Sequence, residues 1–159
     1  MKLWHRLMEL GAPLGIKPHG LETLLQLRLE KGHIIVGQDT DFDSTPRRLA
    51  LEGLVKIDKG DFVGRDALLR TNKIPLDRVL TGFALDGSAP PEGAVIWNGG
   101  EYAGYVTSST WSPVLGKSVA LGWLRLKNGV PADEVMISGQ LARRTSTPFY
   151  DPEGLRARA

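Results

Sequence analysis

The sequence predicts an α+β fold: a short N-terminal part of helices and one strand, followed by an all-β part built as a small antiparallel barrel or sandwich. Apolar residues recur at helical spacing through the first 30 positions. After residue 75 the texture changes to six short apolar runs separated by Gly, Asn and Pro turns. The chain has 159 residues, 42% of them hydrophobic. A chain of that size can bury a core without disulfides or a structural metal.

In chain order, Leu3, Trp4, Leu7 and Met8 share one helical face, and Gly11 and Pro13 end the pattern. A second helix carries Leu21, Leu24, Leu25 and Leu29, with Gly32 placed to terminate it in a left-handed conformation. The run His33 to Val36 reads as a strand, and Gln38 to Asp43 as a polar, acidic loop. Thr45-Pro46 has the chemistry of a helix start, Thr as cap and Pro in the first turn. Phe62 to Arg70 predicts a short helix opened at Gly64, with Phe62, Leu68 and Leu69 on its inner face. The strands then run Arg78 to Leu85, Ala94 to Trp97, Glu101 to Thr107, Val119 to Leu126, Val135 to Ser138 and Leu141 to Thr147. Asn98-Gly99-Gly100 and Gly139 mark hairpin turns. The chain divides near residue 75, giving parts 1–75 and 76–159.

Composition excludes several chemistries. There is no cysteine, so disulfides, thiolate metal sites and cysteine nucleophiles are all absent. Met1 to Gly11 lacks the apolar run of a signal peptide, and no stretch reaches the roughly 20 apolar residues of a membrane span. A cytoplasmic protein without a membrane partner is expected. The net charge of +2 is too small and dispersed to argue for nucleic acid. His5, His19 and His33 have no metal-ligand spacing, and no Ser-His-acid set can be assembled from them.

Three stretches in register carry a family resemblance. The first is Leu27-Arg28-Leu29-Glu30-Lys31-Gly32, then Ile34-Ile35-Val36-Gly37-Gln38-Asp39-Thr40-Asp41 and Thr45-Pro46. The second is Lys59-Gly60-Asp61-Phe62-Val63-Gly64-Arg65-Asp66-Ala67-Leu68. The third is Gly104-Tyr105-Val106-Thr107-Ser108-Ser109, then Ser112-Pro113, Leu115-Gly116 and Val119-Ala120-Leu121. Together they resemble the glycine cleavage T-protein (aminomethyltransferase) family. The Gly-Gln-Asp-Thr-Asp string and the ending Pro148-Phe149-Tyr150-Asp151-Pro152-Glu153-Gly154-Leu155-Arg156 resemble the sarcosine oxidase alpha subunit most.

The resemblance implies that residues 76–159 form the family's C-terminal β-barrel with its tail. Residues 1–75 would then be the last part of its central folate-binding region. It implies tetrahydrofolate as cofactor, one-carbon transfer to its N5 as activity, and a complementing chain or oxidase subunits as partners. The family's assisting aspartate and pterin-holding glutamate lie upstream of anything matched here, so no catalytic residue is assigned, and no metal. Leu24 stands where glycine-cleavage enzymes carry an arginine for the folate tail, and Val36 where they often carry a tyrosine. The isolated chain is therefore expected to lack turnover. The alternative is a subunit-assembly or binding module built on the same barrel.

Arg28, His33 and Trp111 are the candidate folate-binding residues. Each also has a plain structural reading. Arg28 can line the cleft or anchor a loop. His33 can touch ligand or sit half-buried. Trp111, read as a loop aromatic, can cover the cleft or pack on the barrel. Asp39, Asp41 and Asp43 lack calcium-loop spacing and read as a solvated turn. Thr107 to Ser109 read as hydroxyls bonding a barrel corner. Arg143, Arg144, Arg156 and Arg158 read as a solvated face or a docking stretch.

Overall fold

A computed structural model describes residues 1–158. Helix α1 spans Lys2–Gly11 and runs into a 3-10 turn at Ala12–Leu14; α2 spans Leu21–Glu30 and α3 Arg65–Thr71. Six strands follow: β1 Arg78–Leu85, β2 Val95–Asn98, β3 Glu101–Ser112, β4 Lys117–Arg125, β5 Glu134–Ile137 and β6 Gln140–Thr145. They close into a barrel in the order β1-β4-β3-β2-β5-β6, antiparallel throughout, with β6 paired back to β1.

The local chemistry explains most of these boundaries. At the end of α2 the Gly32 amide donates to the Leu29 carbonyl and the His33 amide to the Arg28 carbonyl, both at 2.8 Å. Gly32 holds φ 65°. This pair of bonds around a left-handed glycine is the Schellman stop that the sequence predicted. Gly64, at φ 91°, opens α3. Gly99 and Gly100 (φ 60° and 85°) turn β2 into β3, and Ser138 and Gly139 (φ 49° and 75°) turn β5 into β6. Positive φ at both central positions matches the twist of the flanking strands.

Two expected elements are absent. Residues 33–36 form no strand; the Ile35 amide donates instead to the Asp39 carboxylate at 2.8 Å. Thr45-Pro46 starts a single turn rather than a helix. Thr45 caps it, accepting from the Arg48 amide at 3.2 Å, but Ala50 at φ 55° breaks it. Capping chemistry sets where a helix can begin, and only packing sets whether it propagates. In addition, Phe62, Leu68 and Leu69 are half-buried rather than core residues.

The barrel carries two apolar cores, one on each side of its wall. Inside lie Phe83, Leu85, Ile96, Val106, Leu124 and Ile137. Outside, Leu80 of β1 and Val119, Leu121 and Trp123 of β4 pack with Leu29 of α2, Ile34, Leu49 and Phe149. Strand β4 is therefore buried on both faces, and its middle reads as a continuous apolar run without alternation. The C-terminal tail completes the outer layer. The Tyr150 amide donates to the Glu30 carbonyl at 2.9 Å, and Lys31 pairs with Asp151 at 3.1 Å. By contrast, no residue of α1 is buried. Among the described residues no helix is long and apolar enough to cross a membrane.

Candidate functional site

The polar residues of the first and third family-like stretches meet where α2 abuts β3. Asp39 is the centre. Its carboxylate is fully buried and pairs with Arg28 Nη1 at 2.8 Å. It also accepts from the Ile35 amide at 2.8 Å, Thr107 Oγ1 at 2.5 Å and Ser108 Oγ at 2.6 Å. Arg28 completes the cluster, donating to the His33 carbonyl at 3.1 Å and to Ser108 Oγ at 2.7 Å. Burying a charge costs least when it is paired and its lone pairs are met, and Asp39 meets both conditions.

A β-bulge makes this arrangement possible. The β3–β4 register slips between Val106 and Ser108, leaving Thr107 as the extra residue. Consecutive strand residues ordinarily face opposite sides. The bulge re-aims them, so that Thr107 and Ser108 both present hydroxyls to one carboxylate. A second buried carboxylate lies two residues beyond Arg28: Glu30 accepts from Ser112 Oγ at 2.6 Å and from Gln26 Nε2 at 3.3 Å. Arg28 and Glu30 thus dock the end of α2 on β3 at two points.

The solvated-turn expectation fails for Asp39. Nothing local distinguishes Asp39 from Asp41 or Asp43; its partners Thr107 and Ser108 are nearly 70 residues away. Asp41 is a surface residue that pairs with Arg78 at 2.7 Å. Partial burial pushes its carboxyl upward, but the Ser44 hydroxyl and the Arg78 guanidinium outweigh this and hold it below the usual carboxylate range. The expected corner at Thr107 to Ser109 lies instead within β3, which is bulged at Thr107 but continues to Ser112.

The three candidate ligand residues occupy different environments. Arg28 is directed into the Asp39 cluster with only 12% of its side chain exposed. His33 is exposed and borders a cavity of about 320 Å³, with Gly32, Leu49, Leu80 and Thr147 among its walls. Trp111 is on β3, not in a loop, and is about half exposed. Arg28 and Trp111 do not line the cavity beside His33. A folate molecule needs a walled cleft with converging polar groups. These side chains do not build one within this chain: the arginine is already spent on an internal carboxylate and the other two share no cavity. Among the described residues no cluster of three or more His, Asp or Glu side chains is arranged to hold a metal ion.

Residues 78–151 match the family described as the glycine cleavage T-protein C-terminal barrel domain, and residues 1–59 match the GCVT N-terminal domain. An aminomethyltransferase from Halothermothrix orenii is 38% identical over 138 residues, 86% of this chain and 39% of that protein. A probable aminomethyltransferase from Pyrococcus furiosus is 36% identical, over 96% of this chain and 42% of its own length. The crystal structure of the glycine cleavage system aminomethyltransferase T from Bartonella henselae superposes with a TM-score of 0.73 at 29% identity, over 84% of this chain and 39% of that one. The chain thus spans about two-fifths of the length of these relatives.

Proposed function

The chain belongs to the glycine cleavage T-protein family, and on that footing we propose that it supplies the C-terminal barrel and the adjoining cleft wall of a tetrahydrofolate-dependent aminomethyltransferase module. Tetrahydrofolate would supply the N5 atom that takes up the one-carbon unit. In this reading residues 1–75 are the wall and residues 76–159 the barrel and tail. The residues of this chain do not by themselves fit the pterin, and no catalytic step is assigned to them. Their part is to hold a surface rigid. Arg28 and Asp39 fix the loop after α2, which leaves the exposed rings of His33 and Trp111 as the groups free to meet a ligand. A sarcosine oxidase alpha-like role, with oxidase subunits as partners, belongs to the same proposal.

One observation carries this reading. Leu3, Leu7 and Leu10 of α1, and Leu21, Leu24 and Leu25 of α2, are each 43% exposed or more. That much exposed apolar side chain on two successive helices marks surface that something else covers. We assign the cover to a complementing chain that carries the remainder of the module. The competing reading, a barrel that only assembles with other subunits, predicts the same contact and no folate site.

Calorimetry with tetrahydrofolate separates the two. The chain alone is expected to show no micromolar binding and no aminomethyltransferase turnover. Together with a copurifying chain it is expected to bind. Micromolar binding by the chain alone would show that Arg28, His33 and Trp111 suffice; a tight but folate-blind complex would favour the assembly module.

A further inference from the structure

A second site lies on the outer face of the barrel, where β1, β3 and β4 meet, and shares only Trp123 and Tyr105 with the core packed under α2. It is a cleft of about 530 Å³, within the range of small-molecule sites. Arg78 and Arg125 flank it and stand directly opposite each other in the β1–β4 ladder. Like charges in that position repel. Each guanidinium lies over an aromatic ring: Arg78 over Trp123 at 4.5 Å, Arg125 over Tyr102 at 4.9 Å. Arg78 is also neutralised, by Asp41 at 2.7 Å and Asp43 at 3.9 Å. Arg125 has no carboxylate partner among the described residues, so one flat, stacked guanidinium is left with its charge unmatched.

Gly104 also lines the cleft. Its φ is 150°, and a Cβ there would sit 1.8 Å from the Trp123 carbonyl oxygen. Only glycine fits where β3 comes this close to the β4 backbone, and Tyr102, Tyr105 and Leu126 line the cleft around it. Asp43 and Asp77 also line the cleft. Asp77 is held by Arg48 at 2.8 Å, but its charge and that of Asp43 disfavour a ligand with several negative charges.

We propose that this cleft binds a small aromatic monocarboxylic acid. The carboxylate takes the Arg125 fork and the flat ring lies between the tyrosines. Arginine presents two parallel N–H donors that match a carboxylate. Stacking on Tyr102 pre-orients them, which lowers the entropy lost on binding.

The test is an amide NMR titration of the whole chain with benzoate, benzamide and inorganic phosphate. Benzoate is expected to give saturable shifts at Gly104, Trp123 and Arg125. Benzamide, the same shape without charge, and phosphate, charged without a ring, are expected to give none. Arg125→Gln should weaken benzoate roughly tenfold or more, while Arg70→Gln, an exposed arginine elsewhere, should change nothing. The same spectra report whether each variant is folded. Absence of saturation, equal response to benzamide or phosphate, or undiminished binding in Arg125→Gln would overturn the proposal. A blocked peptide with one internal glutamate that bound as tightly as benzoate would overturn the small-molecule assignment.

Discussion

Phe83, Ile96, Leu124 and Ile137 in the barrel are essentially without exposure, whereas Leu3, Leu7, Leu10 and Leu21 in the first two helices leave half or more of their surface to water. The difference comes from how each region finds its partners. In the barrel every strand pairs on both sides, so hairpin turns deliver a closed interior. A helix can bury only a stripe and needs another layer to receive it. Helix α2 receives one at its last turn, through Leu29 and Glu30, and α1 receives none. The barrel is therefore self-sufficient, and the helices depend on something added to them.

The sharpest way to break that contrast is in the barrel interior. Phe83→Ala should lower stability by about 3–5 kcal/mol, read as a fall in the urea midpoint. A shift below 1 kcal/mol would mean the interior is loosely packed. Asp39→Asn comes next, at a similar about 3–5 kcal/mol, because it leaves Arg28 buried without its counter-charge. Hydrogen exchange should show the loss concentrated at residues 33–44 and the end of α2, with the barrel amides still protected. Phe62→Ala should cost only about 1 kcal/mol, in keeping with a half-buried ring, as measured by melting temperature.

A smaller effect sits in the tail. The Lys31 ammonium holds the Asp151 carboxyl below its usual 3.8. A carboxyl lowered in the folded state stabilises above its unfolded pKa, and that contribution disappears as pH falls through the folded value. Stability of the wild type should therefore drop as pH goes below about 4. The acid limb of Asp151→Asn, followed by urea unfolding between pH 5 and 2, should be flatter. Leu7→Glu is expected to do least, staying within about 0.5 kcal/mol in the chain alone. The same change should abolish capture of a complementing chain, which makes it the variant that most directly sharpens the contrast.

The strands were legible because their signals are local. Asn98-Gly99-Gly100 and Gly139 encode turns that work without distant help, and the Gly32 stop needs only its own helix. What escaped the sequence depends on distance. Asp39 looks like its acidic neighbours until Thr107 and Ser108 arrive, and their arrival depends on a bulge that no residue pattern announces. His33 to Val36 is rich in β-formers, yet no sheet edge is offered to it. The family resemblance points to Arg28, His33 and Trp111 as ligand residues, whereas Arg28 serves an internal carboxylate. The outer cleft combines Arg78, Tyr102 and Arg125 from three strands, so it has no contiguous motif at all.

The tail contact at Tyr150 has a consequence for how the chain is made. Residues leave a ribosome in order, at roughly 5–20 per second. Ser108 and Ser112, which dock helix α2, follow it by some 80 residues, and Tyr150 and Asp151 come later still. Throughout that interval Leu29 and Glu30 have no wall to rest on. The interval is a window for chaperones, and it closes only when Tyr150 and Asp151 reach back to Glu30 and Lys31.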